Sequence, residues 1–115
     1  MIDTRELRNT CGRFATGITI VSTKLDGQNY GMTANGFMSV SLEPPLIVVS
    51  VAKKARMHGY LQQTMRYGIS ILRSDMIAYS NHFAGRPDEN LNIPWFEEGG
   101  TPLIEGCLAL SLIHI

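Results

Sequence analysis

The sequence predicts a mainly β domain with short helices (α+β), a small barrel with helical insertions rather than a doubly wound sheet. Three observations carry this prediction. Runs of β-branched and aliphatic residues at 18–23 and 46–51 have strand character. Strong turn formers, Asp26-Gly27 and Pro44-Pro45, punctuate the extended segments. The segments with helical spacing between them are short.

Asp3 followed by Glu6 reads as a capping box, and Leu7, Cys11 and Phe14 then share one helical face, with Gly17 as the C-cap. The strand at 18–23 turns at Asp26-Gly27 and returns through 29–34. A short extended piece at 37–41 ends at Pro44-Pro45, which cannot sit in a central strand. The run 46–51 is almost wholly aliphatic, as a strand buried on both faces is. A short helix is predicted around 57–63 and a strand at 67–72. Ser74-Asp75 caps a predicted helix over 77–83, stopped by Gly85 and Pro87. Residues 85–102 read as a long surface excursion carrying Trp95 and Phe96, and Leu108 opens a last strand.

At 115 residues the chain fits one domain at most, burying roughly two-thirds of its unfolded surface if compact. Ten Lys plus Arg balance ten Asp plus Glu, without the basic excess of nucleic-acid or membrane-surface proteins, so neither partner is expected. No apolar run approaches bilayer length and no cleavable signal precedes the first helix, which points to the cytoplasm. Cys11 and Cys107 lack metal-like spacing and read as reduced, buried thiols, although sequence leaves a disulfide open. The carboxylates are scattered, so no metal constellation emerges.

The run GMTANGFMSVSLEPP at 31–45 is the most informative stretch. Thr33, Asn35, Ser39 and Ser41 place short donors and acceptors among Gly31, Ala34, Gly36 and apolar neighbours. Such a run lines a pocket for a flat, polar-edged ligand, or is a strand, a turn and a strand with incidental serines. Lys53, Lys54 and Arg56 suit a phosphate, Arg56 bidentately, or form a solvated basic loop. His58 faces a ligand or stands on an exposed helix surface; His82 reads as a packed helix-end residue before a catalytic acid. Trp95 and Phe96 cap a ligand, cover a dimer surface or bury an apolar patch. No Ser-His-Asp arrangement is arguable from spacing.

Five segments in order carry a family likeness: RFATGITIVST at 13–23, GMTANGFMSVSLEPPLIVVSV at 31–51, KKARMH at 53–58, SNHFAGR at 80–86 and GGTPLIEG at 99–106. Through them the chain resembles the flavin reductase family. These are FMN-binding split β-barrel proteins that include the small reductase components of two-component monooxygenases. The resemblance implies a homodimeric, Greek-key split barrel holding FMN (or FAD) non-covalently, with NAD(P)H as co-substrate. It places Thr33, Ala34, Asn35, Gly36, Ser39, Val40 and Ser41 around the isoalloxazine and ribityl chain. It places Lys53, Lys54, Arg56 and His58 near the phosphate, and adds Phe83 and Gly85 to the cofactor site. No catalytic residue is assigned, since hydride passes between cofactors that the protein positions. The chain departs from many relatives at Gly36, where they carry Ser or Ala, and at Met57, where some place Ser or Thr. The implied activity is NAD(P)H-dependent flavin reduction, supplying reduced flavin to a partner monooxygenase. Alternatives are a flavin-binding or electron-transfer module without turnover, and an inactive fragment.

The resemblance also implies a domain that continues past Ala109 into further strands, one bearing a Gly-Asp-His motif. The final LSLIHI at 110–115 instead matches, residue for residue, the translation of CTGTCTCTTATACACATC, a sequencing-library adapter, the alternative being an apolar strand that matches it by chance. The expectation is a partial domain at 1–109, incomplete at the C-terminus, followed by a non-native tail at 110–115. A barrel lacking strands exposes unpaired edges and an apolar face, so the 115-residue chain alone is expected to aggregate or stay partly molten.

Overall fold

Asp26 and Gly27 both take positive φ, 54° and 77°, the backbone a two-residue type I′ hairpin turn requires. They join β1 (Thr19–Leu25) to β2 (Gln28–Ala34), in register from Thr19↔Ala34 to Leu25↔Gln28. This hairpin begins the central sheet in a computed structural model that describes residues 3–13 and 17–115. The chain order is α1 (Thr4–Gly12), β1, β2, β3 (Phe37–Leu42), β4 (Pro45–Val49), α2 (Arg56–Thr64), β5 (Arg66–Ile71), α3 (Ile77–His82), β6 (Trp95–Glu98), β7 (Thr101–Ile104) and β8 (Ala109–His114). Four strands form an antiparallel sheet ordered β2-β1-β5-β8, while β3-β4 and β6-β7 are separate two-stranded hairpins. Among the described residues the strands do not close into a barrel.

Strand alternation divides the sheet's side chains between two cores. On one face Val21, Ala34, Tyr67 and Ile69 meet Met57 and Leu61 of α2, with Phe37, Ile47 and Val49 of the β3-β4 hairpin packed against them. Met57 and Leu61 are four residues apart and form the buried stripe of α2. On the other face Ile20 and Leu72 meet Met76 and Ile104, bordered by Phe83 and Trp95.

The second face is sealed at close range. β7 is buried along its whole length, and it crosses the sheet over three small residues. Ser22 Oγ donates to the Pro102 carbonyl at 2.6 Å, and the Ile104 amide donates to Ser70 Oγ at 3.2 Å. Between them a Cβ on Gly68 would stand 2.6 Å from Leu103 Cδ2 and 2.7 Å from the Pro102 oxygen. Two hydroxyls therefore replace ladder bonds for β7, and Gly68 makes the approach possible.

Several sequence expectations are corrected. α1 ends at Gly12 with Arg13 as an αR C-cap, its amide bonded back to the Thr10 and Cys11 carbonyls, so Gly17 has no capping role. Asp3 does cap that helix, accepting from the Arg5 amide at 2.9 Å. Leu7 and Cys11 are exposed rather than packed, and Phe14 lies outside the described residues. Both cysteines are free thiols, Cys11 exposed and Cys107 half-buried. β4 is not buried on both faces: Ile47 and Val49 pack against the first core, while Leu46 and Val48, on the opposite face, are about half exposed. α3 has Met76 at its N-cap with no side-chain cap; Asp75 instead pairs with Arg73. The 85–102 excursion holds β6 and leads through Gly99 and Gly100, both at positive φ, into buried β7.

Candidate functional site

β2 is an edge strand of the central sheet, and its outer rim is where both coverings leave room. The Thr33 amide points outward and donates to the Phe83 carbonyl at 3.3 Å. By antiparallel parity the amide and carbonyl of Gly31, two residues earlier, point the same way. Thr33 Oγ1 donates to the Ser80 carbonyl at 2.6 Å, tying β2 to α3. The Phe83 ring packs against Gly31, where a Cβ would stand 2.7 Å from it. Gly31 is thus small to admit Phe83, which is held edge-on by Trp95 at 5.7 Å between centroids.

A cavity of about 800 Å³ opens over this rim. Tyr30, Gly31, Met32 and Thr33 form its floor, Ala55, Arg56, Met57 and Tyr60 one wall, and Phe83, Ala84, Gly85 and Pro87 the other. The first wall is the start of α2. Its N-cap, Ala55, offers no side-chain hydrogen bond, so the leading amides and the positive end of the helix dipole are left for a ligand. Arg56 adds a guanidinium there. The second wall is the turn after α3, where Gly85 takes φ 90° and the Asp88 amide donates to His82 Nδ1 at 2.9 Å. His82 is therefore a turn-fixing residue on the helix end, as its sequence context suggests.

Of the residues singled out from sequence, the cavity gathers Thr33, Arg56, Phe83 and Gly85. Ala34 is buried in the sheet, with its carbonyl accepting from Thr19 Oγ1 at 2.8 Å. Asn35 and Gly36 form the β2-β3 connection, where a Cβ on Gly36 would meet Ser50 Cβ at 3.2 Å. Ser39, Val40 and Ser41 lie on β3, at a register shift between Ser39 and Ser41, outside the cavity. Lys53 and Lys54 are exposed on the turn leading into α2. His58 faces a different, apolar cavity of about 290 Å³ with Val51, Leu61, Gln62, Met65 and Ile115. Of the other lining residues, Gly31 and Met32 fall inside the 31–45 run and Met57 next to the basic trio, whereas Tyr30, Ala55, Tyr60, Ala84 and Pro87 were not singled out for the site. The readable signal was Tyr60, four residues after Arg56 and so on the same helix face. Among the described residues no three His, Cys, Asp or Glu side chains cluster to hold a metal. No helix among them is long and apolar enough to cross a membrane.

An antiparallel sheet with flanking hairpins, and a nucleotide-sized cavity where a helix N-terminus meets its edge strand, define a ligand-binding β protein. The flavin reductase like domain family model matches residues 11–111, and the chain belongs to that family. It is 46% identical over 112 residues to an NADH-dependent flavin reductase from a Rhodococcus species, covering 95% of this chain and 61% of the relative. It is 40% identical over 103 residues to the reductase component of 4-hydroxyphenylacetate 3-monooxygenase from Thermus thermophilus, covering 90% of this chain and 65% of that protein. The structure of the flavin reductase PheA2 superposes with a TM-score of 0.93 at 42% identity, over 99% of this chain and 74% of the other. This chain thus spans less than two-thirds of the length of these curated relatives. The fold shared with solved flavin reductases is the split barrel that the sequence resemblance implies.

Proposed function

We propose that this protein is an NAD(P)H-dependent flavin reductase that binds FMN or FAD non-covalently and passes reduced flavin to a partner monooxygenase. The observation that carries the reading is the cavity joining the rim of β2 to the uncapped start of α2, in a chain of this family. Its residues fit a flavin nucleotide. The α2 amides and Arg56 suit the phosphate. The outward amide and carbonyl of Gly31 suit the polar edge of a flat ring, and Met32 and Phe83 give apolar contact. A bound flavin supplies hydride acceptance from the nicotinamide; the chain binds, orients and shields it. Asn35, Gly36, Ser39, Val40, Ser41, Lys53, Lys54 and His58 do not line this cavity, and they are proposed as cofactor contacts only where a second copy of the chain extends the site. Relatives named as reductase components of monooxygenases support the partner.

We place the protein in the cytoplasm as a homodimer. Met38, Val40 and Leu42 of β3 and Leu46 and Val48 of β4 are exposed apolar residues on a hairpin that a second copy would cover. Sedimentation equilibrium on the intact gene product should return twice the chain mass; a monomer at micromolar concentration overturns the dimer. The activity is tested by mixing the intact gene product with FMN or FAD and NADH or NADPH, following nicotinamide absorbance. Turnover is expected. Bound flavin without turnover would make it a binding module, and no bound flavin would refute the assignment.

A further inference from the structure

Tyr30 and Tyr60 line the cavity and pack against the first core, but neither has a task toward a ligand in the reading above. Their rings stack with centroids 4.1 Å apart and planes inclined by 31°. Tyr30 comes from the edge strand and Tyr60 from α2, and both are half-buried, so part of the pair faces the cavity. The Tyr30 hydroxyl is turned away toward Gln28 Oε1 at 3.3 Å, which leaves ring rather than hydroxyl as what Tyr30 offers a ligand. Tyr60 follows Arg56 by four residues. One face of α2 therefore presents the helix N-terminus, a guanidinium, and one turn later an aromatic ring. That is the order of a pyrophosphate followed by a purine.

We infer that Tyr30 and Tyr60 form the stacking shelf for the adenine of a dinucleotide bound in the cavity, with Arg56 on the pyrophosphate. This rests on the flavin reductase reading and extends it to specificity. A mononucleotide flavin ends at its phosphate and leaves the shelf empty, whereas FAD and NADH both carry an adenine. Aromatic residues stack on any base face, so the shelf selects for the presence of the ring rather than for its edge.

The test uses the intact gene product as wild type, Tyr60→Leu, Tyr30→Leu and Tyr60→Phe. Dissociation constants for FMN and FAD are measured by fluorescence titration, and the NADH KM is measured with FMN as acceptor. Tyr60→Leu and Tyr30→Leu should each weaken FAD about tenfold, roughly 1.4 kcal/mol, while FMN changes less than twofold. Tyr60→Phe, which retains the ring, should bind FAD as wild type does. Unchanged FAD affinity with a tenfold higher NADH KM also supports the shelf and gives the adenine to the nicotinamide nucleotide. Because FMN and FAD are compared on the same folded variant, general damage cancels from their ratio. Equal weakening of both flavins, or no change in FAD affinity and NADH KM, overturns the shelf while leaving the reductase reading intact. A wild-type protein that binds neither flavin overturns the reductase reading and the shelf with it.

Discussion

The two faces of the central sheet are covered by different means. On the face under β6-β7, backbone approaches backbone over Ser22, Gly68 and Ser70, and β7 is buried from end to end. On the face under α2, side chains intervene: Met57 and Leu61, with Tyr60 packed against the same core, hold the helix on the sheet while Arg56 stays exposed at its start. Close backbone packing leaves no room for a ligand. A helix held off by its side chains leaves a cavity at its end. The difference explains why the candidate site lies at the N-terminus of α2 and the rim of β2, although it reaches around to Phe83 on the sealed side.

The comparison breaks most visibly at Gly68. Gly68→Ala drives a Cβ into the Pro102 carbonyl and Leu103, so β7 must lift; the expected cost is roughly 1–3 kcal/mol. Urea denaturation of the intact gene product measures it, and an unchanged midpoint would mean that β7 does not pack as described. At the other face Arg56→Ala should leave that midpoint nearly unmoved, because the side chain is exposed. It should instead weaken flavin binding about ten- to a hundredfold, the worth of a charge-assisted phosphate contact of roughly 1.5–3 kcal/mol. Equal binding by the variant would place the phosphate elsewhere.

The smallest effect separates the two thiols. Burial raises the pKa of Cys107, opposed in part by Arg73, whereas Cys11 is exposed. A disulfide reagent should modify Cys11 first, with Cys107 reacting more slowly at neutral pH and faster as pH rises. The linkage has the same sign. The folded state holds the Cys107 proton more tightly than the unfolded chain, so the stabilisation is present below the ordinary thiol pKa and fades as pH rises through the raised value. Tyr67, whose pKa burial also raises, adds loss in the same direction at higher pH. Equal labelling rates for both cysteines at neutral pH would show the second core to be open.

Local chemistry was legible wherever one segment decides its own conformation. Asp26-Gly27 specified the first hairpin, Asp3 the start of α1, and the aliphatic and β-branched runs the strands β1 and β5. Burial was less legible. The aliphatic run of β4 has the composition of a doubly covered strand, yet only the face of Ile47 and Val49 is packed, and among the described residues Leu46 and Val48 stay about half exposed. Cys11 follows a helical stripe but lies exposed. The Gly99-Gly100 turn was present in the sequence as a hairpin signal inside what otherwise reads as an excursion.

By itself the sequence determined the strand-rich class, the turns, the family likeness and four residues of the cavity: Thr33, Arg56, Phe83 and Gly85. Their types and spacing act through neighbours a few positions away, where propensity and turn geometry operate. Only the tertiary structure decided that Gly31 yields to Phe83, that Gly68 admits β7, and that Tyr30 stacks on Tyr60. Each joins residues separated by thirty or more positions. Such contacts depend on which faces meet after the sheet has formed, and no local pattern records that.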